Sequence, residues 1–205
     1  MPKIIYKPPV ALQGKDFGTR EKSQRAKKGV KKFGNMASLK DLNEAKGSMR
    51  GLLNLNLRGY YGDDYRVYFP DHLIANGHVK LMELLCHTDF DFNQCENNQH
   101  HPLIVACQEG CTEIVNLLVR SSKEFGIDLN ARNDDGETGF MRACYYGQTE
   151  IVKLMINSSK EFGIDLNVRN VNGDTGFMLA RVFGYRKIVK LMVNASREFN
   201  INIDA

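Results

Sequence analysis

A chain of 205 residues with 42% hydrophobic residues, a net charge of +4 and five cysteines is long enough for one repeat array with a tail, or for two modest domains. No apolar run approaches the roughly 20 residues that cross a bilayer, and Met1-Pro2-Lys3 lacks the apolar core of a signal peptide. The odd cysteine count, without paired spacing, argues against a disulfide framework and suits a reducing compartment, so cytoplasm or nucleus is expected.

The first section stands apart by charge. Residues 1–50 contain 13 Lys and Arg against 4 Asp and Glu, whereas the remainder carries 15 against 20. Arg25, Lys27, Lys28, Lys31 and Lys32 form a basic cluster within this section. Few large apolar residues and Pro8-Pro9 point to disorder up to about residue 35. Ser38-x-x-Asp41 with Leu39 and Leu42 can start a short helix over 38–46. The cluster suits a solubilising tail, a nuclear-import signal or a contact with nucleic acid or acidic lipid, but it lacks the interleaved aromatics on which bases stack.

Beyond residue 51 the sequence repeats itself every 37 residues. Asp128-Leu129-Asn130 returns as Asp165-Leu166-Asn167, Thr138-Gly139-Phe140-Met141 as Thr175-Gly176-Phe177-Met178, and Ile151-Val152-Lys153-Leu154-Met155 as Ile188-Val189-Lys190-Leu191-Met192. One period earlier stand Asp91, His101-Pro102-Leu103-Ile104, Cys107, Gly110 and Ile114-Val115, and a looser first copy includes Leu55-Asn56-Leu57-Arg58 and Gly77-His78. Four copies are expected, at about 54–90, 91–127, 128–164 and 165–201. A period of this size signals a stacked array whose units bury their apolar faces only against their neighbours.

Within one copy, Thr138 can cap a helix in which Phe140, Met141, Ala143 and Cys144 fall at helical spacing, and Gly147 supplies a turn. A second helix follows with an apolar stripe of Ile151, Val152, Leu154, Met155 and Ile156, extended by about one turn, with Phe162 as an apolar lid. The segment from Asp165 to Asp174 has hairpin-turn composition. Ala143 and Ala180 are small enough for close helix approach, and Phe140, Leu154, Phe177 and Leu191 are expected in the core. Arg181, in the slot of Cys107 and Cys144, implies an outer face that meets water. Asn202-Ile203-Asp204-Ala205 falls in register with Asp165-Leu166-Asn167-Val168, which reads either as a short segment closing the fourth copy or as the start of a longer array.

These units resemble ankyrin repeats. His101-Pro102-Leu103-Ile104, Thr138-Gly139-Phe140-Met141 and Thr175-Gly176-Phe177-Met178 stand for the family's Thr-Pro-Leu-His stretch, Gly77, Gly110, Gly147 and Gly184 for its turn glycine, and the Ile/Val-Val-x-Leu-Leu signature of the second helix is the best kept. The family's Gly-Ala-Asp after that helix is replaced by Ser-Ser-Lys-Glu-Phe-Gly-Ile-Asp at Ser121 to Asp128 and at Ser158 to Asp165, which lengthens the usual period. The resemblance implies an all-α ankyrin-type solenoid of helix-turn-helix units with hairpin fingers over residues 51–205, preceded by the basic segment 1–50. It further implies partner binding by finger tips and by the exposed side of the first helices, the concave face. Carried over slot by slot, the binding positions are Arg132, Asp134, Asp135, Glu137, Tyr145 and Tyr146, then Arg169, Val171, Asn172, Asp174, Val182 and Phe183, and in the second copy Cys95, Asn97, Asn98, His100, Gln108 and Glu109. Tyr145 with Val182, and Tyr146 with Phe183, should lie side by side as an aromatic centre.

Catalytic signatures for phosphate, dinucleotide, serine-hydrolase or zinc-protease chemistry are missing, so no enzyme activity and no cofactor are expected. Cys86, His87, Cys95, His100 and His101 match no common zinc spacing, and no metal is expected there. The leading function is a protein-interaction module, an adaptor or scaffold that is monomeric or part of a larger chain, with a protein partner and no membrane. The alternative is a nuclear regulatory protein whose basic segment contacts nucleic acid or import machinery while the repeats recruit a partner.

Overall fold

A computed structural model describes residues 70–71, 73–75, 77–87, 90–93 and 101–203. The basic cluster and the helix over 38–46 lie outside the described residues. Seven helices follow helical residues at 70–71 and 73–75: α1 Val79–Cys86, α2 Pro102–Glu109, α3 Thr112–Phe125, α4 Gly139–Tyr145, α5 Thr149–Phe162, α6 Gly176–Val182 and α7 Arg186–Phe199. They form two layers, with α2, α4 and α6 side by side in one, and α1, α3, α5 and α7 in the other. Short helices of one layer turn into long helices of the other through Gly110, Gly147 and Gly184, all at positive φ.

The short helices α4 and α6 begin where their sequence can replace a missing backbone partner. Thr138 and Thr175 accept hydrogen bonds from the Met141 and Met178 amides at 3.3 Å, so one of the four orphan donors at each of these helix starts finds a side-chain oxygen. In the next slot of the motif stand Gly139 and Gly176. A Cβ on Gly139 would lie 3.2 Å from Cys107 Sγ, and one on Gly176 would lie 2.9 Å from Phe140 Cε1. Short helices therefore approach more closely than an alanine allows, and Phe140 and Phe177, both nearly inaccessible, fill the layer.

The departure Ser-Ser-Lys-Glu-Phe-Gly-Ile has a local explanation. It extends α3 and α5 to 14 residues each and ends them on Gly126 and Gly163 in the left-handed region. The Ser122 and Ser159 carbonyls accept from the Ile127 and Ile164 amides at 3.0 and 3.1 Å, and those isoleucines plug the core behind each helix end. Asn200, at φ 57, takes the glycine's place after α7, a conformation that asparagine tolerates better than most residues. Phe125, Phe162 and Phe199 then lie under His87, Lys123 and Lys160 of the preceding repeat, at 5.1, 5.1 and 4.8 Å respectively.

Repeats are joined by a ladder of asparagines. Asn130 Oδ1 accepts from the Asp165 amide at 2.8 Å while its Nδ2 donates to the Gly163 carbonyl at 2.8 Å. Asn93 makes the same two bonds to Asp128 and Gly126, and Asn167 to Asn202 and Asn200. Asp91, Asp128 and Asp165 hold each asparagine by accepting its backbone amide two residues on, at 2.9, 2.9 and 2.8 Å.

One expectation about the core is corrected. Leu154 and Leu191 are only partly buried, because the stripe of α5 that faces the neighbours is Ile151, Val152, Met155 and Ile156, each at most 1% exposed. Leu154 instead lines the open groove between α3 and α5.

The ladder generates a stability test. Asn130→Ala should lower unfolding free energy by about 1–3 kcal/mol, as the loss of paired polar groups does, and Asn130→Asp, which keeps the acceptor but not the donor, by less. Urea melts of both variants measure it.

Candidate functional site

The fingers between layers are narrow turns closed by their own asparagines. Asn133 donates its amide to the Glu137 carbonyl at 2.9 Å and accepts the Glu137 amide on Oδ1 at 2.7 Å. Asn170 repeats the pattern with Asp174, at 3.0 and 2.8 Å. Neighbouring fingers are stitched together, because the Val171 amide donates to the Asp135 carbonyl at 3.0 Å and Arg132 Nη2 to the Arg169 carbonyl at 2.6 Å. Asp134, Asp135, Val171 and Asn172 stand exposed at the tips.

Several side chains assigned to binding by slot do other work. Glu137 is buried, 6% exposed, and forms an ion pair at 2.8 Å with Arg142 Nη1. It is thus a structural group rather than a finger-tip contact, since a carboxylate removed from water needs a partner of this kind. Arg132 spends its guanidinium on the Gly136 and Arg169 carbonyls, and Arg169 reaches the Gly173 carbonyl at 2.6 Å. Both arginines brace fingers from the outside. Asp174 is partly buried in the turn that Asn170 closes.

The aromatic residues do gather, on a diagonal that slot matching misses. Tyr145 meets Phe183 of the next repeat with ring centroids 4.4 Å apart, and Tyr146 at 4.9 Å on its other side. Phe183 stacks in turn near Tyr185 at 6.5 Å. Phe183 remains 45% exposed and Val182 beside it 77%, while Tyr145 and Tyr146 are half-buried. Tyr185 also closes over the preceding turn, where a Cβ on Gly147 would meet its ring at 2.5 Å, so glycine is required there for space as well as for its φ of +73.

Arg142 organises this cluster, and sequence reasoning passed it over. Its guanidinium lies 5.5 Å from the Tyr145 ring centroid and 5.0 Å from that of Tyr146, and Nη2 donates to Gln108 Oε1 at 2.6 Å and to the Tyr146 hydroxyl at 3.3 Å. Gln148 Nε2 completes the link by donating to the Gln108 carbonyl at 3.1 Å. The available signal was a cation in a slot that Val105 and Leu179 fill with apolar side chains. Burial raises the Tyr146 hydroxyl pKa, with Arg142 opposing, so the phenol stays neutral.

Where it is described, the cysteine and histidine concentration resolves into two buried residues, Cys86 and His101, and an exposed one, His87, set edge-on to Phe125. Cys86 is buried, which pushes its thiol up to about 12, and Cys107 and Cys144 are raised further by the same cause. Such thiols are neutral hydrophobes at physiological pH. Cys95, Asn97, Asn98 and His100 lie outside the described residues, and no metal-binding cluster occurs among the described ones. His101 starts α2 in the slot of Thr138, buried at 3% exposure with Nε2 3.5 Å from Asn93 Oδ1.

Two layers of helices in register, glycine turns and braced fingers define a helical repeat array that presents a surface. A family model described as ankyrin repeats in three copies matches residues 70–133 and 122–205, and the chain belongs to the ankyrin repeat family. A search of curated proteins finds no match. Ankyrin repeats are generally protein-interaction modules and are typically not enzymes. No helix among the described residues is long and apolar enough to cross a membrane.

His101 generates a pH prediction. Burial lowers its pKa from 6.5 to about 4, with Asp128 opposing, so the unfolded chain takes up the proton first. Its contribution to stability is complete above about pH 6.5 and is lost as pH falls toward 4. His101→Thr, which restores the hydroxyl cap, should flatten the drop in urea midpoint between about pH 7 and 5 relative to the parent; identical slopes would assign the loss to other groups.

Proposed function

We propose that this chain is a non-catalytic adaptor or scaffold that binds a partner protein through the concave face of its array, at the junction of the third and fourth copies. The observation that carries this reading is the aromatic cluster of Tyr145, Tyr146 and Phe183, which joins two repeats and is continued by the exposed Val182. Aromatic groups that are half-open and held in fixed geometry supply contact area at small entropic cost, and such anchors dominate interface energies. Arg142 supports the cluster from below through Glu137 and Gln108, so its shape exists before a partner arrives. Finger tips at Asp134, Asp135, Val171 and Asn172 form the rim of the surface, where charge tunes association rate more than affinity.

Affinity capture with the full chain and mass spectrometry of the bound proteins test this reading. Tyr145→Ala with Phe183→Ala should abolish the specific capture while far-UV circular dichroism and the melting transition stay near those of the parent. Asp134→Ala should leave capture almost unchanged. Undiminished capture by the folded aromatic double variant would move the binding surface off this face.

A further inference from the structure

Charge changes sign along the stack. Residues 91–127 carry two Lys and Arg against five Asp and Glu, residues 128–164 four against six, and residues 165–201 six against three. The reversal comes from a few slots. Arg181 stands exposed where Cys107 and Cys144 are buried, and Arg186-Lys187 open α7 where α3 and α5 open with Thr112-Glu113 and Thr149-Glu150. Two cations in a first turn oppose the helix dipole, an unfavourable placement for stability that the two preceding repeats avoid. A local rule broken without structural gain points to function.

The same repeat carries every exposed large apolar side chain among the described residues: Val171, Val182, Phe183 and Val193. Phe183 and Arg186 are three residues apart, which keeps their Cα atoms within about 11 Å. Phe183 and the exposed cations that open α7 therefore lie within reach of one bound peptide, with Arg181, whose guanidinium lies 5.6 Å from the Phe177 ring, on the preceding helix. We propose that the fourth copy docks an acidic peptide segment of the partner, with an apolar side chain seated on Phe183 and Tyr145 and carboxylates facing Arg181, Arg186 and Lys187; this rests on the concave-face reading above. Charge complementarity selects that occupant. The chain's own residues 1–50, with their excess of positive charge, are repelled by the same cations. Tyr145 and Phe183 pack on each other and Tyr145 on Tyr146, and the neighbouring Val171, Val182 and Val193 are branched, so the surface lacks a row of open ring faces for successive bases and suits a peptide rather than a nucleic acid.

The test pans a phage-displayed random 12-residue peptide library on the full chain at about 150 mM salt, where weak surface attraction is screened. Enriched peptides should be acidic with at least one aromatic or leucine. Fluorescence anisotropy should then show their affinity falling about tenfold or more, as loss of complementary charge predicts, on the triple variant Arg181→Glu, Arg186→Glu and Lys187→Glu, with its helical content unchanged by far-UV circular dichroism. Enrichment of neutral or basic peptides, no enrichment, equal affinity for the charge-reversed variant, or tighter binding of a 12-nucleotide single-stranded RNA each overturns the acidic-peptide assignment and leaves the concave-face reading standing. Full binding of acidic peptides to the Tyr145→Ala, Phe183→Ala variant removes the concave-face reading, and the proposal with it.

Discussion

Everything that this array presents depends on the asparagine ladder. Asn93, Asn130 and Asn167 each accept an amide from the repeat ahead and donate to the carbonyl that ends the long helix of their own repeat. Apolar burial alone would let neighbouring repeats slide, since it is non-directional. A side-chain amide that must satisfy a donor and an acceptor 2.7–2.9 Å away fixes rotation and translation together. The left-handed residues Gly126, Gly163 and Asn200 turn their carbonyls to meet it. The lengthened period follows, because the extra turn on each long helix is closed by that same joint.

With register fixed, side chains from different repeats can meet predictably. Close approach of the short helices at Gly139 and Gly176 brings successive first helices together, and Tyr145 then lies on Phe183. Arg142 bridges Gln108 of the preceding repeat, Glu137 of its own finger and the Tyr146 hydroxyl. The parts of this surface are already held in place, and on the proposed reading that would keep the entropy lost on binding small. In the fourth copy the regularity is relaxed. Val193 is 44% exposed where Ile156 is 1% exposed, and Lys187 stands where earlier copies have Glu113 and Glu150.

Much of the fold was legible in the residues because each helix end, turn and stripe recurs at a constant offset, and repeated coincidence removes ambiguity that one copy would leave. The threonine caps, the turn glycines and the helix extension all follow from single positions. Side-chain partnerships between copies were less legible. Glu137 reads as a finger-tip acid until Arg142, five residues on and on another element, is placed beside it. Tyr146 and Phe183 share a slot, yet the ring that reaches Phe183 is Tyr145, because side-chain direction as well as slot decides contact. Leu154 belongs to the apolar stripe by spacing, but lies at its edge, where the groove between α3 and α5 begins.

Amide exchange at the joints tests the ladder most directly. The Asp128, Asp165 and Asn202 amides belong to exposed residues, where water would normally allow rapid exchange. If asparagine side chains hold the repeats, those three amides exchange slowly, on the timescale of the buried helix α5, and Asn130→Ala releases Asp165 alone. Exchange of all three at the rate of an unstructured peptide would show that the joints are open, and the fixed aromatic surface that depends on them would have no basis.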